Sequence, residues 1–463
     1  MGVSAARRIA YQVLARVEAE GAYASDALNE ALDGRVKPAD AALGTEITLG
    51  VLRQRRTLDF LLHRHMKKTV ERLDLPVALA LRMGLYQLRF LKRIPAHAAV
   101  HESVELVKMA RKSSAAALVN AVLHKAQAEI ECPVEQFLGV NLPRTEQLAI
   151  LHSHPTWMVE RWIDSLGEAG AIQMMVANNE RPRLSCAVQN SDLRQEVLGE
   201  LARAGIDTEP GLLLKNAFAV RGGSPSRTDA FRRGLFSIQD EASQAVPLLL
   251  GVEPGDRVLD LCAAPGGKTA PLRRAAGGTG LVIAADRHWH RLKAMRAQFH
   301  RLRLTGVHLV ELNAEQPLPF REMFDRILLD APCSGTGTLA RHPEIRWRLG
   351  PEQLPSFHQL QVRLLENAIR TLRPGGQIVY STCSMEREEN EEVVARTLGE
   401  QRSIRRVATR TSHERLRPHL QNSSDLEKLF ARDGYFRTSP QEQHTDGFFA
   451  ALLERPVGSA MDR

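Results

Sequence analysis

Cysteine is scarce in this chain, with Cys132, Cys186, Cys262, Cys333 and Cys383 the only five in 463 residues. An odd, scattered set excludes a disulfide framework. No CxxC pair is present, so no zinc or other metal site is expected. No apolar run approaches the roughly 18 residues of a membrane span. Met1 to Tyr11 also lacks the apolar core of a secretion signal. These absences predict a reduced, cytoplasmic protein with no membrane contact. There is no internal repeat, low-complexity tract or coiled-coil pattern, which removes solenoids and fibres and leaves a monomer as the expectation. The remainder is ordinary for a folded protein, at 43% hydrophobic and 25% charged. Its length suits roughly two to four domains. Lysine and arginine total 62 against 54 acidic residues, a net charge of +8, and the pI of about 9.4 suits an anionic partner.

Helical spacing dominates the N-terminal part. Ile9, Val13 and Val17, then Leu58, Leu61 and Leu62, then Leu118, Val119, Val122 and Leu123 form apolar stripes. Glycine and proline are scarce between them, so residues 1–130 are expected to form a helical bundle. Its polar positions carry Arg53, Arg55, Arg56, Lys67, Lys68, Lys92, Arg93, Lys108, Arg111 and Lys112. Taken singly these are solvated helix faces; together they suit RNA. Pro133, Pro143 and Pro155 break the pattern, so 131–155 is expected to be a linker. Residues 156–235 read as a small α/β unit, with strands at 184–188 and 217–220, a helix at 192–204 and a polar loop at 221–227. Residues 236–463 alternate short apolar strands (258–261, 281–285, 307–310, 327–329, 377–381) with helical stretches, and 448–453 is a late strand. That alternation predicts a doubly wound, Rossmann-like parallel sheet.

Residues just past such strands face the ligand crevice. Three segments occupy that position. Asp260 to Thr269 contains Cys262, Ala263, Ala264, Pro265, Gly266, Gly267 and Lys268, small residues that let a ligand approach the backbone at a helix start. Its Gly267-Lys268-Thr269 imitates the end of a P-loop, but that motif needs glycine where Cys262 stands, which argues against a nucleotide triphosphatase. Asp286 lies twenty residues beyond Gly266, where this fold places an acid that binds ribose hydroxyls. Asp330-Ala331-Pro332-Cys333-Ser334-Gly335 and Ser381-Thr382-Cys383-Ser384 bring two thiols and a carboxylic acid to one crevice. That set suits thiolate attack on an electron-poor carbon with a carboxyl handling protons.

With these motifs stand Ser237 to Ser243 (SIQDEAS), Arg341 to Trp347 (RHPEIRW) and Tyr380 to Ser384 (YSTCS). Together they resemble the Nop2/Sun family of RNA cytosine-C5 methyltransferases, which use S-adenosylmethionine. The helical N-terminus resembles the RNA-binding antitermination factor NusB. The resemblance covers nearly the whole chain and is weaker between about 130 and 235. It implies an all-α NusB-like bundle, a ferredoxin-like middle unit that binds RNA and a class I methyltransferase domain. The fusion points to 16S ribosomal RNA, naked or partly assembled, as the substrate. The same chemistry on transfer RNA and a non-catalytic assembly factor are the rivals.

The resemblance implies that Cys262 to Lys268 hold the methionine part of the cofactor, that Asp286 binds its ribose, and that Asp330 lies near both methyl donor and base. It makes Cys383 the nucleophile and Cys333 the residue that helps release product; the motif spacing alone leaves open which thiol attacks. The family carries aspartate where this chain has Asn313, whose carbonyl oxygen can still accept from an adenine amino group. Such chemistry has a clear logic. Carbon 5 of cytosine is a poor nucleophile until a thiolate adds at carbon 6, which requires a reactive cysteine, an acid at N3 and a dry slot.

Other residues take blander readings. Cys132 and Cys186 are small apolar fillers, and Cys262 matters through its backbone. Lys268 is expected to contact the cofactor carboxylate or the active-site acid. Arg341, His342, Arg346 and Trp347 are expected to form an RNA-facing loop. Glu388, Glu389, Glu391 and Glu392 are expected to be a solvated acidic helix start.

Overall fold

The computed structural model describes residues 2–32, 36–430 and 433–458. The chain divides into two units, Met1–Arg181 with Leu339–Leu349, and Pro182–Thr338 with Gly350–Arg463.

In the first unit the apolar stripes wind into the expected helices. Seven of eight residues or more span Ala5–Glu20, Ala24–Ala31, Pro38–Arg53, Arg55–His63, Leu75–Phe90, Ala96–Met109 and Ala116–Ala128. Leu75–Phe90 is the central one. Every residue from Val77 to Gln87 is buried, as an all-round apolar helix must be. Its Arg82 is neutralised by a two-pronged bond to Asp59, at 2.7 and 2.8 Å. Gly50 lets a neighbouring helix cross it closely, since a Cβ there would lie 1.9 Å from the Tyr86 ring. Two more helices follow, Arg144–Leu151 and Thr156–Asn179, the second broken at Gly167. Pro143 and Pro155 cap these helices rather than merely interrupting the chain. The stretch read as linker therefore carries a helix with Leu148, Ala149 and Ile150 buried.

Two sequence readings need correction in this unit. Arg53, Arg55 and Arg56 are not a solvated basic face. Arg53 is buried and donates to the Ala340 carbonyl at 2.9 Å. Arg55 pairs with Glu18 at 3.0 Å and Arg56 with Glu146 at 2.5 Å. Lys67, Lys68, Lys92, Arg93, Lys108 and Arg111 do stand exposed.

The RHPEIRW segment is also not an RNA-facing loop at its arginine and tryptophan. Arg346 is 0% exposed, and Leu339–Leu349 packs as part of the helical unit. The physical reason lies in helix ends, whose last carbonyls have no intrahelical partner. Arg346 donates to Asn178 O (3.0 Å), Ser153 O (3.1 Å) and Asn179 Oδ1 (2.8 Å). Trp347 Nε1 donates to Leu52 O (2.6 Å), and Arg348 to Val17 O (2.7 Å) and Gly21 O (2.8 Å). Three helix C-termini are thus capped by one segment, with cations where the dipole favours them. Burial lowers the Arg346 pKa to about 9, so the guanidinium is still charged at neutral pH.

Arg346→Leu leaves those acceptors buried without donors, each costing about 1–3 kcal/mol. The variant is expected to lose about 3 kcal/mol or more of stability. Urea unfolding followed by tryptophan fluorescence checks this, and an unshifted midpoint would refute the capping role.

The second unit holds two sheets. The small one has β1 Leu184–Val188, β2 Asp207–Pro210, β3 Ala217–Arg221 and β4 Phe236–Ile238 in the order β2-β3-β1-β4. All its pairings are antiparallel, which with the helix Arg194–Arg203 gives a ferredoxin-like unit. Cys186 is a buried filler of its core, its thiol pushed up to about 12 by burial.

The large sheet has β5 Arg257–Leu261, β6 Leu281–Asp286, β7 Val307–Glu311, β8 Phe324–Asp330, β9 Leu372–Thr382, β10 Arg405–Arg406, β11 Phe436–Thr438 and β12 Phe448–Glu454. Its order is β10-β12-β9-β8-β5-β6-β7, with β11 paired to β12. β5 to β9 run parallel and β12 returns antiparallel on β9. The chain leaves β5 to one side for β6 and β7, then crosses to β8. That reversal opens a crevice at the C-terminal ends of β5 and β8, where such sheets bind ligands. No helix among the described residues is long and apolar enough to cross a membrane.

Candidate active site

The turn after β5 is shaped by two left-handed residues, Cys262 (φ 59°) and Gly266 (φ 95°). Glycine is required at 266 because a Cβ would lie 2.8 Å from Met295 and 2.9 Å from Phe299. The turn is tied to β6, with Ala263 N donating to Ala285 O (2.9 Å) and Ala264 N to Asp286 Oδ2 (3.3 Å). Asp286 also accepts from His288 N at 3.0 Å and faces Arg291 at 3.4 Å. Burial, first of all, raises the Cys262 thiol well above its ordinary range, so its contribution is conformational. Asn313 lies just beyond β7, its Oδ1 accepting from Glu315 N at 3.1 Å.

Asp260, at the end of β5, is 1% exposed. Thr269 donates to its Oδ2 at 2.5 Å, and Oδ1 has no partner among the described residues. Burial raises its pKa to about 7. A carboxyl raised on folding binds its proton more tightly when folded. Its stabilising contribution is full below about pH 4 and is lost as pH rises through about 7. Asp260→Asn removes this dependence. Between about pH 5 and pH 8 the variant should gain on the wild type by on the order of a few kcal/mol. Denaturant midpoints at both pH values check it; a pH-independent difference would refute the bound proton.

Across the crevice, Lys268 Nζ lies 2.6 Å from Asp330 Oδ2 and 5.0 Å from the centre of the Phe448 ring. Ser381 Oγ donates to Asp330 Oδ1 at 2.8 Å. Cys333 and Cys383, from the loops after β8 and β9, meet with their sulfurs 3.3 Å apart and unbonded. The hydrogen bond to Cys383, with burial added, raises Cys333 well above its ordinary range.

The two cysteine loops share one buried anchor. Glu389 is 0% exposed and accepts from Ser334 N (2.8 Å), Ser384 Oγ (2.6 Å), Gln361 Nε2 (2.9 Å) and the Ser334 hydroxyl. This corrects the reading of 388–392 as wholly solvated. Arg387–Glu389 is a short turn that points Glu389 inward, while Glu391 and Glu392 do open the helix Glu391–Glu400. Gly337 completes the clamp. Its N–H donates to Cys383 O at 2.9 Å, and its own carbonyl accepts from Gly447 N at 2.7 Å. A Cβ at 337 would lie 2.1 Å from Gly447 O.

The fold thus gathers Lys268, Asp330, Cys333 and Cys383 at one point, with the 262–267 turn and Asp286 beside them. Sequence reasoning missed Glu389 and Phe448. The acidic run hid the first, and the second was read only as the start of a strand.

Comparisons with known proteins agree with this architecture. A family model described as 16S rRNA methyltransferase RsmB/F matches residues 247–454. The NusB family matches 4–128, and an RsmF/B-like ferredoxin-like domain matches 154–225. The chain is 32% identical to the probable ribosomal RNA small subunit methyltransferase B of Bacillus subtilis, over 98% of this chain and all of that one. It is 34% identical to the ribosomal RNA small subunit methyltransferase B of Pseudomonas putida, over 98% and 99%. The crystal structure of PH0851 matches with a TM-score of 0.80 at 25% identity, over 98% of this chain and all of that one.

Proposed function

Because the chain belongs to the RsmB/F family of 16S rRNA methyltransferases, we propose that it methylates carbon 5 of a cytosine in 16S ribosomal RNA, using S-adenosylmethionine and a covalent bond from Cys383 to carbon 6. The observation that carries this reading is the sulfur pair, 3.3 Å apart, beside the Lys268–Asp330 pair at the sheet's crevice.

The residues fit the methyl donor. The turn past β5 sets small residues around the left-handed Cys262 and Gly266, and Asp260 Oδ1 is buried with no hydrogen-bond partner among the described residues. Cys262 to Lys268 would hold the amino-acid end, Asp286 the ribose hydroxyls and Asn313 the adenine edge. When bound, S-adenosylmethionine supplies an electrophilic methyl group.

The protein's part begins with the Cys383 thiolate adding at carbon 6. N3 gains basicity as the ring loses aromaticity, and it takes a proton passed through the Asp330 carboxyl. Lys268 steadies the carboxylate left behind, and the Ser381 hydroxyl fixes that carboxyl's rotation. Carbon 5 is now nucleophilic and accepts the methyl group. Loss of the carbon 5 proton to solvent water then expels the Cys383 sulfur; the Cys333 thiol protonates it as it departs and regains its proton from water, while N3 returns its own to Asp330. The target base must leave its stack to enter, at a cost of a few kcal/mol that a loop or bulge lowers.

Incubating the protein with S-adenosylmethionine and either protein-free 16S RNA, small subunits or transfer RNA tests the reading. Mass spectrometry of the digested RNA should find one 5-methylcytosine, in naked or partly assembled 16S RNA. Modification of transfer RNA alone would overturn the substrate; a methyl group on another atom would overturn the chemistry.

A further inference from the structure

The SIQDEAS segment is absorbed by nothing above, yet it builds the wall of a separate cavity of about 300 Å³ in the second unit. That volume is at the small end of ligand pockets. Val188, Leu214, Leu248 and Pro271 give it apolar walls. Lys215, Arg274 and His419 stand on it, and no carboxylate lines it. Its other face is Gly267, next in the chain to Lys268, so only the glycine turn separates it from the active site.

The cavity is built with care. Glu241, 1% exposed, accepts from the backbone N–H groups of Leu212, Leu213 and Leu214 at 2.9, 2.8 and 2.9 Å. This fixes the loop that presents Lys215 and Asn216. Lys215 N donates to His419 O, and its ammonium to Pro418 O, both at 2.9 Å, closing the rim. Gln239 spends its amide N–H on Ser243 Oγ (3.0 Å), which leaves its carbonyl oxygen to accept. Asn216 and Arg274 stand exposed, and among the described residues neither side chain has a hydrogen-bond or ion-pair partner. A charge in a site without an acid, beside unspent amides and an apolar slot, matches a nucleotide. The base fits the slot, the amides meet its edge, and the cations meet its phosphate.

We propose that this cavity is a nucleotide subsite, holding one unpaired nucleotide that flanks the target base on the RNA strand. The inference rests on the proposed RNA substrate and adds a second point of strand recognition to it. Lys215 and Arg274 take the phosphate; Asn216 and Gln239 read the base edge.

The test uses the full chain with saturating S-adenosylhomocysteine, which keeps the turn at Cys262 occupied. The four nucleoside 5′-monophosphates are titrated to ~10 mM by ligand-observed NMR. The Asn216→Ala/Arg274→Ala double variant is compared, since neither side chain supports the fold through a partner. At least one monophosphate should bind the wild type, about tenfold more tightly than the variant. The variant's KM for 16S RNA should rise about tenfold, with KM for S-adenosylmethionine unmoved. Its salt dependence should weaken by about 0.7 in logarithmic slope, the share of one single-strand phosphate contact.

No binding of any monophosphate by the wild type overturns the proposal. So does binding that the variant loses without a change in KM, because the site would then serve a free nucleotide. If the wild type methylates no RNA, the functional reading fails by itself. Filter retention of a short single-stranded RNA then carries the same tenfold comparison.

Discussion

Cys383→Ala is expected to abolish methyl transfer and to form no adduct with RNA, whereas Cys333→Ala is expected to accumulate one that survives denaturation. The asymmetry follows from what each sulfur does in the proposed cycle. Without the Cys383 thiolate, carbon 5 never becomes nucleophilic, and no other thiol takes its place. Loss of a nucleophile costs about 10⁴-fold or more. Cys333 enters only after methyl transfer. Its sulfur lies 3.3 Å from Cys383, close enough for its thiol to donate to the departing sulfur. Removing that donor leaves addition and methylation possible but slows expulsion, an effect of about 10² or more for a proton-transfer group. Gel analysis after incubation with 16S RNA and S-adenosylmethionine reads both outcomes. An adduct in Cys383→Ala and none in Cys333→Ala would exchange the two roles. No adduct in any variant, with no methyl transfer by the wild type, would remove the covalent mechanism.

The parts legible in the sequence were those governed by local pattern. Apolar spacing places the bundle helices, and β1 is found at its full span because apolar residues alternate between turn signals. The crevice residues were legible because a doubly wound sheet puts whatever follows a strand at the ligand end. The strands β2, β4, β10 and β11 were not legible. They have two to four residues, too short to show alternation, and β4 and β10 are held by partners far away in the chain. Arg346 failed for a related reason. Next to Trp347 and His342 it has the composition of a nucleic-acid surface. Its environment is set by carbonyls at residues 153 and 178, far away in sequence. Local composition carries charge but not burial.

The same blindness applies to Glu389, where the second large effect is expected. Glu389→Ala should lower kcat about 10²-fold and stability by about 2–4 kcal/mol, with KM for S-adenosylmethionine unmoved. The carboxylate touches both cysteine loops, through Ser334 after β8 and Ser384 after β9. Truncation leaves the Ser334 N–H buried without an acceptor, at about 1–3 kcal/mol, and opens a void below the sulfurs. A sulfur displaced by even ~1 Å from its line of attack loses about two orders of magnitude. The 262–268 turn receives no support from Glu389, so donor binding has no reason to change. Glu389→Gln keeps the shape and one acceptor for Ser334 N–H, and should retain roughly a tenth of the activity. The measurement that separates positioning from mere folding is the rate of adduct formation in the Cys333→Ala background, normalised to folded protein. If Glu389→Ala leaves that rate unchanged and lowers only the folded fraction, Glu389 is a structural strut. If the rate falls with the folded fraction held constant by temperature, the buried carboxylate is what aims Cys383 at the base.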